Sequence, residues 1–160
     1  MSEAFNLAGF FPYQVRVFST VISETIAQVY GAKYGLSVSE WRTMAILGSH
    51  QALSASEIVA RSSMDKVSVS RAVQSLRKIG YLKRDIDGDD RRKSVLRLTE
   101  DGQAVFASLI PLVREVEKKL LEPLEKGERA QLAQLMQKVQ AQAFALQGEL
   151  RSQEAETQDT

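Results

Sequence analysis

Arg91, Arg92 and Lys93 stand side by side in the stretch DIDGDDRRKSVLRLTEDG, residues 85 to 102, just after Asp87, Asp89 and Asp90. Three adjacent cations at a turn can meet the oxygens of a polyanion, and an arginine at a loop tip can enter a narrow, electronegative groove. A charged, solvated loop is the plain alternative. A second set lies upstream in KVSVSRAVQSLRKIG, residues 66 to 80. There Lys66, Val67, Ser68, Ser70, Arg71 and Gln74 fall between the apolar positions. Arginine pairs bidentately with a guanine edge, glutamine with adenine, and valine can touch a thymine methyl. Ser68 lies where a helix would begin, so its hydroxyl and the orphan amides there could meet a phosphate. The chemistry on offer is recognition of double-stranded DNA.

Other chemistries find little support. The chain of 160 residues has no cysteine and a single histidine, His50. Disulfides, thiolate zinc sites and cysteine redox sensing are therefore excluded. No phosphate-binding glycine loop, dinucleotide fingerprint or metal motif is present, no cofactor is implied, and an enzyme is not expected. The net charge of +1 conceals an asymmetry. Between Ser54 and Arg97 eleven bases face six acids, a local excess of +5 that the rest of the chain offsets. A basic middle with acidic flanks suggests a local anion-binding face. Apolar residues make up 44% and charged residues 26%, as in ordinary globular chains. No apolar run reaches the roughly 20 residues of a membrane span. The N-terminus has no basic segment before an apolar core, so a cytoplasmic chain without membrane association is expected.

The elements that position these residues can be read from period and caps. After Pro12, apolar residues recur at three- and four-residue spacing, which predicts a long helix to about Tyr34, ended by Gly35. Ser37 with Glu40, and Ser54 with Glu57, have the spacing of capping boxes that open two further helices. Asp65 is a suitable N-cap for the next one. Its buried stripe is expected to be Val69, Ala72, Val73, Leu76 and Ile79, with Gly80 as its end. The period then changes to two. YLKRDI and SVLRL flank DGDD as a β-hairpin, with Val95 and Arg97 on the face opposite to Leu96 and Leu98. Thr99 caps another helix, in which Pro111 predicts a kink or break. Leu132, Leu135, Met136, Val139, Ala143 and Leu146 continue a helical stripe, and the polar tail from 149 to 160 is expected to be disordered.

Helix, helix, helix, hairpin and then Leu-Thr-x-x-Gly is the order of a winged helix-turn-helix. The segment DGDDRRKSVLRLTEDG resembles the wing of the MarR family of bacterial transcription regulators, whose pattern is close to D-x-R-D-x-R followed by L-x-L-T-x-x-G. Asp87, Asp90, Arg92, Leu96, Leu98, Thr99 and Gly102 match it. LSVSEWRTMAIL resembles the family's second helix, and SLRKIGYLKR its L-x-x-x-G-L-[VI]-x-R segment. The resemblance covers roughly residues 10 to 148, and Asp89 stands where an arginine is common.

The resemblance implies a mainly α fold with a small β-hairpin wing. It implies an N-terminal dimerisation helix over 10–35, a DNA-binding lobe over 36–99 and C-terminal dimerisation helices over 100–148. It further implies a homodimer that binds a pseudo-palindromic operator, usually as a repressor. Arg92 would be the residue inserted into the minor groove, oriented by Asp90, with Arg91 and Lys93 on phosphates. Many such proteins release DNA on binding a small aromatic effector between the dimer base and the lobes. Tyr13, Arg16, Tyr30, Tyr34, Trp41 and His50 are the candidate lining. The alternative from another class is a winged-helix protein-interaction module that does not bind DNA.

Overall fold

The computed structural model describes residues 5–50, 52–86 and 94–158. The fold is mainly α-helical with one two-stranded antiparallel hairpin. After a short 3-10 turn at Leu7–Gly9, the elements are α1 (Phe11–Tyr34), α2 (Val38–Ser49), α3 (Ala55–Ser62), α4 (Lys66–Ile79), β1 (Leu82–Ile86), β2 (Ser94–Leu98), α5 (Glu100–Leu120) and α6 (Lys126–Gln158). Two compact units result, residues 1–117 and 118–160.

The local rules place the boundaries of the first unit. Pro12 lies in the first turn of α1, where its missing N–H is no loss. Gly35 and Gly80 end α1 and α4 with φ of 64° and 93°, a left-handed region that favours glycine. Both capping boxes form: Ser37 and Glu40 exchange hydrogen bonds at the start of α2, as do Ser54 and Glu57 at the start of α3. The turn from α3 to α4 passes through Ser63 with φ 53°, while the Ser62 hydroxyl accepts from the Met64 amide at 3.2 Å.

The core of this unit gathers Tyr30, Met44, Leu47, Ile58, Val69, Val73, Leu76, Leu96 and Leu109 from α1 to α5. Leu53 exchanges both backbone hydrogen bonds with Leu96, which ties the segment before α3 to the hairpin. In the hairpin Leu82 pairs with Leu98, and Lys83 with Arg97. Asp85 binds Lys83 at 3.3 Å and Arg97 at 3.7 Å. Val95 is nonetheless buried together with Leu96 and Leu98, so the two strand faces do not divide into buried and solvated. On its own face Val95 has the paired Arg97 and Asp85 as neighbours, whose charged heads meet beside it.

Two other expectations are corrected. Ile79 is 47% exposed, outside the buried stripe of α4. It lies in the last turn, rotated to the edge of the arc that Leu76 centres. α5 runs unbroken through Pro111. One lost backbone hydrogen bond is outweighed there by packing on both sides of the proline, where Leu109 is fully buried and Val113 lies against the core.

The second unit opens with a cap: Glu128 accepts from the Glu125 amide at 2.8 Å, and Arg129 donates to the Leu124 carbonyl at 3.0 Å. Helix α6 then continues to Gln158, past residue 149 where an unstructured tail was expected. Glutamate, glutamine, arginine and alanine dominate this stretch, and all are good helix formers, so polarity alone did not end the helix.

The joint between hairpin and α5 is the tightest place in the fold. A Cβ on Gly102 would fall onto the Tyr81 carbonyl oxygen, whereas one on Gly148 would meet open space. Gly102→Ala is therefore expected to destabilise the protein by about 1–3 kcal/mol or more, because the obstacle is backbone. Gly148→Ala is expected to stabilise α6 by about 0.5–1 kcal/mol. Urea unfolding of both variants checks the contrast.

Candidate nucleic-acid interface

Helix α4 is held at both ends by side chains and backbone that its own sequence supplies. Asp65 accepts from the Ser68 amide at 2.8 Å and from the Ser68 hydroxyl at 2.6 Å. These two bonds, the hydroxyl first, hold the Asp65 carboxyl below the usual aspartate range. At the other end the Gly80 amide donates to the Leu76 and Arg77 carbonyls. Between them Val69, Ala72, Val73 and Leu76 are buried. Lys66, Val67, Ser70, Arg71, Gln74 and Lys78 are exposed on the opposite arc, as their spacing predicts. Val67 is 57% exposed, an apolar side chain presented to solvent at the helix start.

Ser68 is placed differently from its expected role. Its hydroxyl and amide are both engaged by Asp65, so neither is open to a phosphate. A carboxylate occupies the position where the helix dipole would favour an anion.

The partner surface of α4 is α2. Glu40 of α2 is only 8% exposed. Burial opposes its ionisation, but hydrogen bonds from the Ser75 hydroxyl and from the Ser37 backbone and side chain outweigh that cost and keep its carboxyl below the ordinary glutamate value. The Ser37 amide donates to Glu40 Oε2 at 2.7 Å. Sequence reasoning found Glu40 as a cap residue and missed its burial, because the helices that cover it are remote in the chain.

Thr99 joins α4 to the wing and to α5. Its hydroxyl donates to the Gly80 carbonyl at 2.7 Å and accepts from the Gly102 amide at 3.0 Å, while its own amide donates to the Tyr81 carbonyl at 3.1 Å. The end of α4, the root of the hairpin and the start of α5 are thereby one rigid piece. Asp90, Arg91, Arg92 and Lys93, the candidate wing contacts, lie outside the described residues. The strands on either side of them are described, with Ile86 paired to Ser94.

The candidate ligand residues separate into groups. Tyr30 and Trp41 stack with centroids 5.4 Å apart, and Trp41 meets Phe106 at 5.9 Å. Tyr34 shares a 2.7 Å hydrogen bond with Ser108. Burial raises the Tyr30 phenol above its usual range, and the Arg42 charge partly opposes this. Phe106 and Ser108 of α5 were not among the sequence candidates. Tyr13 and Arg16 lie in the exposed first half of α1, about 20–25 Å along the helix from Tyr30. His50 caps the end of α2, where Nδ1 donates to the Ile46 carbonyl at 2.9 Å. It borders a groove of about 1010 Å³ whose lining includes Leu47, Lys83, Arg97, Glu100 and Phe106.

No group of three or more metal-ligating side chains occurs among the described residues, and none of their helices is long and apolar enough to cross a membrane.

Comparison with known proteins agrees with this geometry. The MarR family model matches residues 34–93, which run from the end of α1 to the residue before β2. The transcriptional repressor NicR of Pseudomonas putida is 27% identical over 104 residues, 65% of this chain and 66% of that protein. A MarR/EmrR family regulator from Acinetobacter sp. ADP1 superposes with a TM-score of 0.80 at 28% identity, covering 88% of this chain and 99% of that one. BpsR of Bordetella bronchiseptica, whose structure concerns regulation of its DNA binding by 6-hydroxynicotinic acid, gives a TM-score of 0.75 at 20% identity, over 86% of this chain and 98% of that one. With the capped α3–α4 pair, the hairpin and the Thr99–Gly102 joint in place, the chain is similar to the MarR family of winged helix-turn-helix transcription regulators.

Proposed function

We propose that the protein acts as a homodimer that binds a pseudo-palindromic operator in double-stranded DNA, as a repressor, and leaves it when a small aromatic effector binds. The observation that carries DNA binding is the outer arc of α4. Lys66, Val67, Ser70, Arg71 and Gln74 are all exposed on a helix fixed at both ends. Arg71 would read a guanine edge and Gln74 an adenine, while Lys66 and Lys78 meet phosphates. Arg92, with Asp90 to orient it, is assigned to the minor groove by its place in the wing pattern, and Arg91 and Lys93 to phosphates. The repressor sense follows the relative NicR.

The dimer reading rests on uncovered apolar surface. Phe10, Phe11, Val15, Phe18 and Val21 near the start of α1 are each 45% exposed or more. On α6, Leu135, Met136, Val139, Phe144, Leu146 and Leu150 are likewise 46% exposed or more. Apolar area of this extent on a monomer marks an interface. The effector reading is supported by Tyr30, Trp41 and Phe106, which link α1, α2 and α5 through their rings, and by the regulation of BpsR by 6-hydroxynicotinic acid on the same fold. An effector wedged at such a joint would alter the angle between lobe and dimer base.

Sedimentation equilibrium is expected to give a dimer at micromolar concentration, and a stable folded monomer refutes the dimer. Selection from random duplexes is expected to return half-sites with centres about one helical turn, ~10 bp, apart, with affinity that falls as salt rises. Arg71→Ala should cost roughly 1–3 kcal/mol and relax preference at one position per half-site. Arg92→Ala should instead weaken binding and blunt preference for A·T-rich flanks. Titration against single-base operator variants separates the two. If both variants bind like the parent while folded, the protein-interaction alternative takes their place.

A further inference from the structure

Resting on that reading and deepening it, we propose that Thr99 is a positioning residue for operator recognition: its hydroxyl sets the angle between α4 and α5, and through that angle the half-site spacing that a dimer accepts. The hydroxyl donates to the Gly80 carbonyl at 2.7 Å, where α4 ends, and accepts from the Gly102 amide at 3.0 Å, in the first turn of α5. The Tyr81 carbonyl takes the Thr99 amide at 3.1 Å, and the absent Cβ of Gly102 lets α5 close on the same carbonyl. Tyr81 is itself bound to α4, since its amide donates to the Leu76 carbonyl at 2.9 Å. Val105 and Leu109 also hold α5 in the core, but apolar contact prescribes no angle. Hydrogen bonds do.

The other side of α5 leads to the surface assigned to the dimer. Ser108 donates to the Val105 carbonyl at 2.8 Å and shares a 2.7 Å hydrogen bond with Tyr34. Tyr34 is the last residue of α1, whose first half carries the exposed Phe11, Val15, Phe18 and Val21. Directional contacts therefore run from α4 through Thr99 to α5, and through Ser108 to α1. Arg71 lies nine residues before Gly80, about 13 Å along the helix. A change of about 10° at the joint moves a group at that distance by about 2 Å, and two copies moving in opposite senses differ by about 4 Å, more than one base-pair step of about 3.4 Å. Within one half-site the same shift is common to every contact of α4 and leaves their order intact. The joint should thus govern spacing, while base preference stays with the side chains of α4.

The test uses the full chain and duplexes built from the half-site that the parent protein selects from a random pool. The two copies are set at the selected spacing and at one and two base pairs more or less. The parent is expected to lose about tenfold or more in affinity for one added or removed base pair, the discrimination carried by a bidentate contact. Thr99→Val keeps the side-chain shape and the amide bond and removes the hydroxyl. It is expected to lose about threefold or less over the same step, because the freed joint follows the site, with base preference inside the half-site unchanged. Thr99→Ser keeps the hydroxyl and should restore the parent's spacing profile. Melting curves accompany each variant. A folded Thr99→Val with the parent's profile overturns the proposal, as does weakening that is equal at every spacing, the mark of a stability element alone. Should Thr99→Val not fold, Thr99→Ala is judged by the same profile, and failure of both to fold also overturns the proposal. So does a parent that accepts every spacing equally. A parent that selects no half-site at all defeats the operator reading itself and the proposal with it, a result distinct from these.

Discussion

Three backbones meet at Thr99, and the geometry of the lobe depends on that meeting. The threonine takes the carbonyl of Gly80 and the amide of Gly102 with one hydroxyl, and the carbonyl of Tyr81 with its own amide. A hydroxyl both donates and accepts, and threonine carries it on a stem of one carbon. The contact also requires that α5 approach the Tyr81 backbone closely, which only a residue without a Cβ at 102 permits. The recognition helix, the hairpin and α5 consequently cannot turn independently. Any change in the angle of α5 is passed to the surface that carries Arg71 and Gln74.

Charge is used sparingly on that surface. Asp65 caps α4 and occupies the positive end of its dipole, so the helix start does not act as a general anion site. Lys83 and Arg97 at the hairpin root are engaged by Asp85. Under the proposed DNA-binding role, cations so compensated would restrain non-specific attraction to polyphosphate and leave the exposed groups of α4 to act through their individual positions. The same economy explains why acids and bases alternate through the middle of the chain while its net charge stays near neutral.

Much of the fold was legible in short-range pattern. Pro12, Gly35, Ser37 with Glu40, Ser54 with Glu57, Asp65 and Gly80 each do locally what their residue type does in any chain, so the starts of α1 to α4 and the ends of α1 and α4 could be read from them. The outer arc of α4 was legible too, because the helical period leaves Arg71 and Gln74 no choice of side once Val69, Val73 and Leu76 are buried. Failures came where neighbours in space overrode local tendency. Pro111 predicted a kink or a break, and of these the break does not occur, because Leu109 and Val113 anchor both sides of it.

The sequence by itself determined the order of elements, their caps and the identity of the side chains of α4 that face outward. Those depend on interactions within a few residues, which spacing records. Only the tertiary structure decided that Ser68 is consumed by its own N-cap, that Trp41 stacks on Tyr30 and meets Phe106 while Tyr13 and Arg16 stand apart, and that Tyr34 shares a hydrogen bond with Ser108. Each of these turns on which of several possible partners lies within hydrogen-bond or ring-contact distance. That choice is made by packing among helices remote in the chain, and residue spacing carries no record of it.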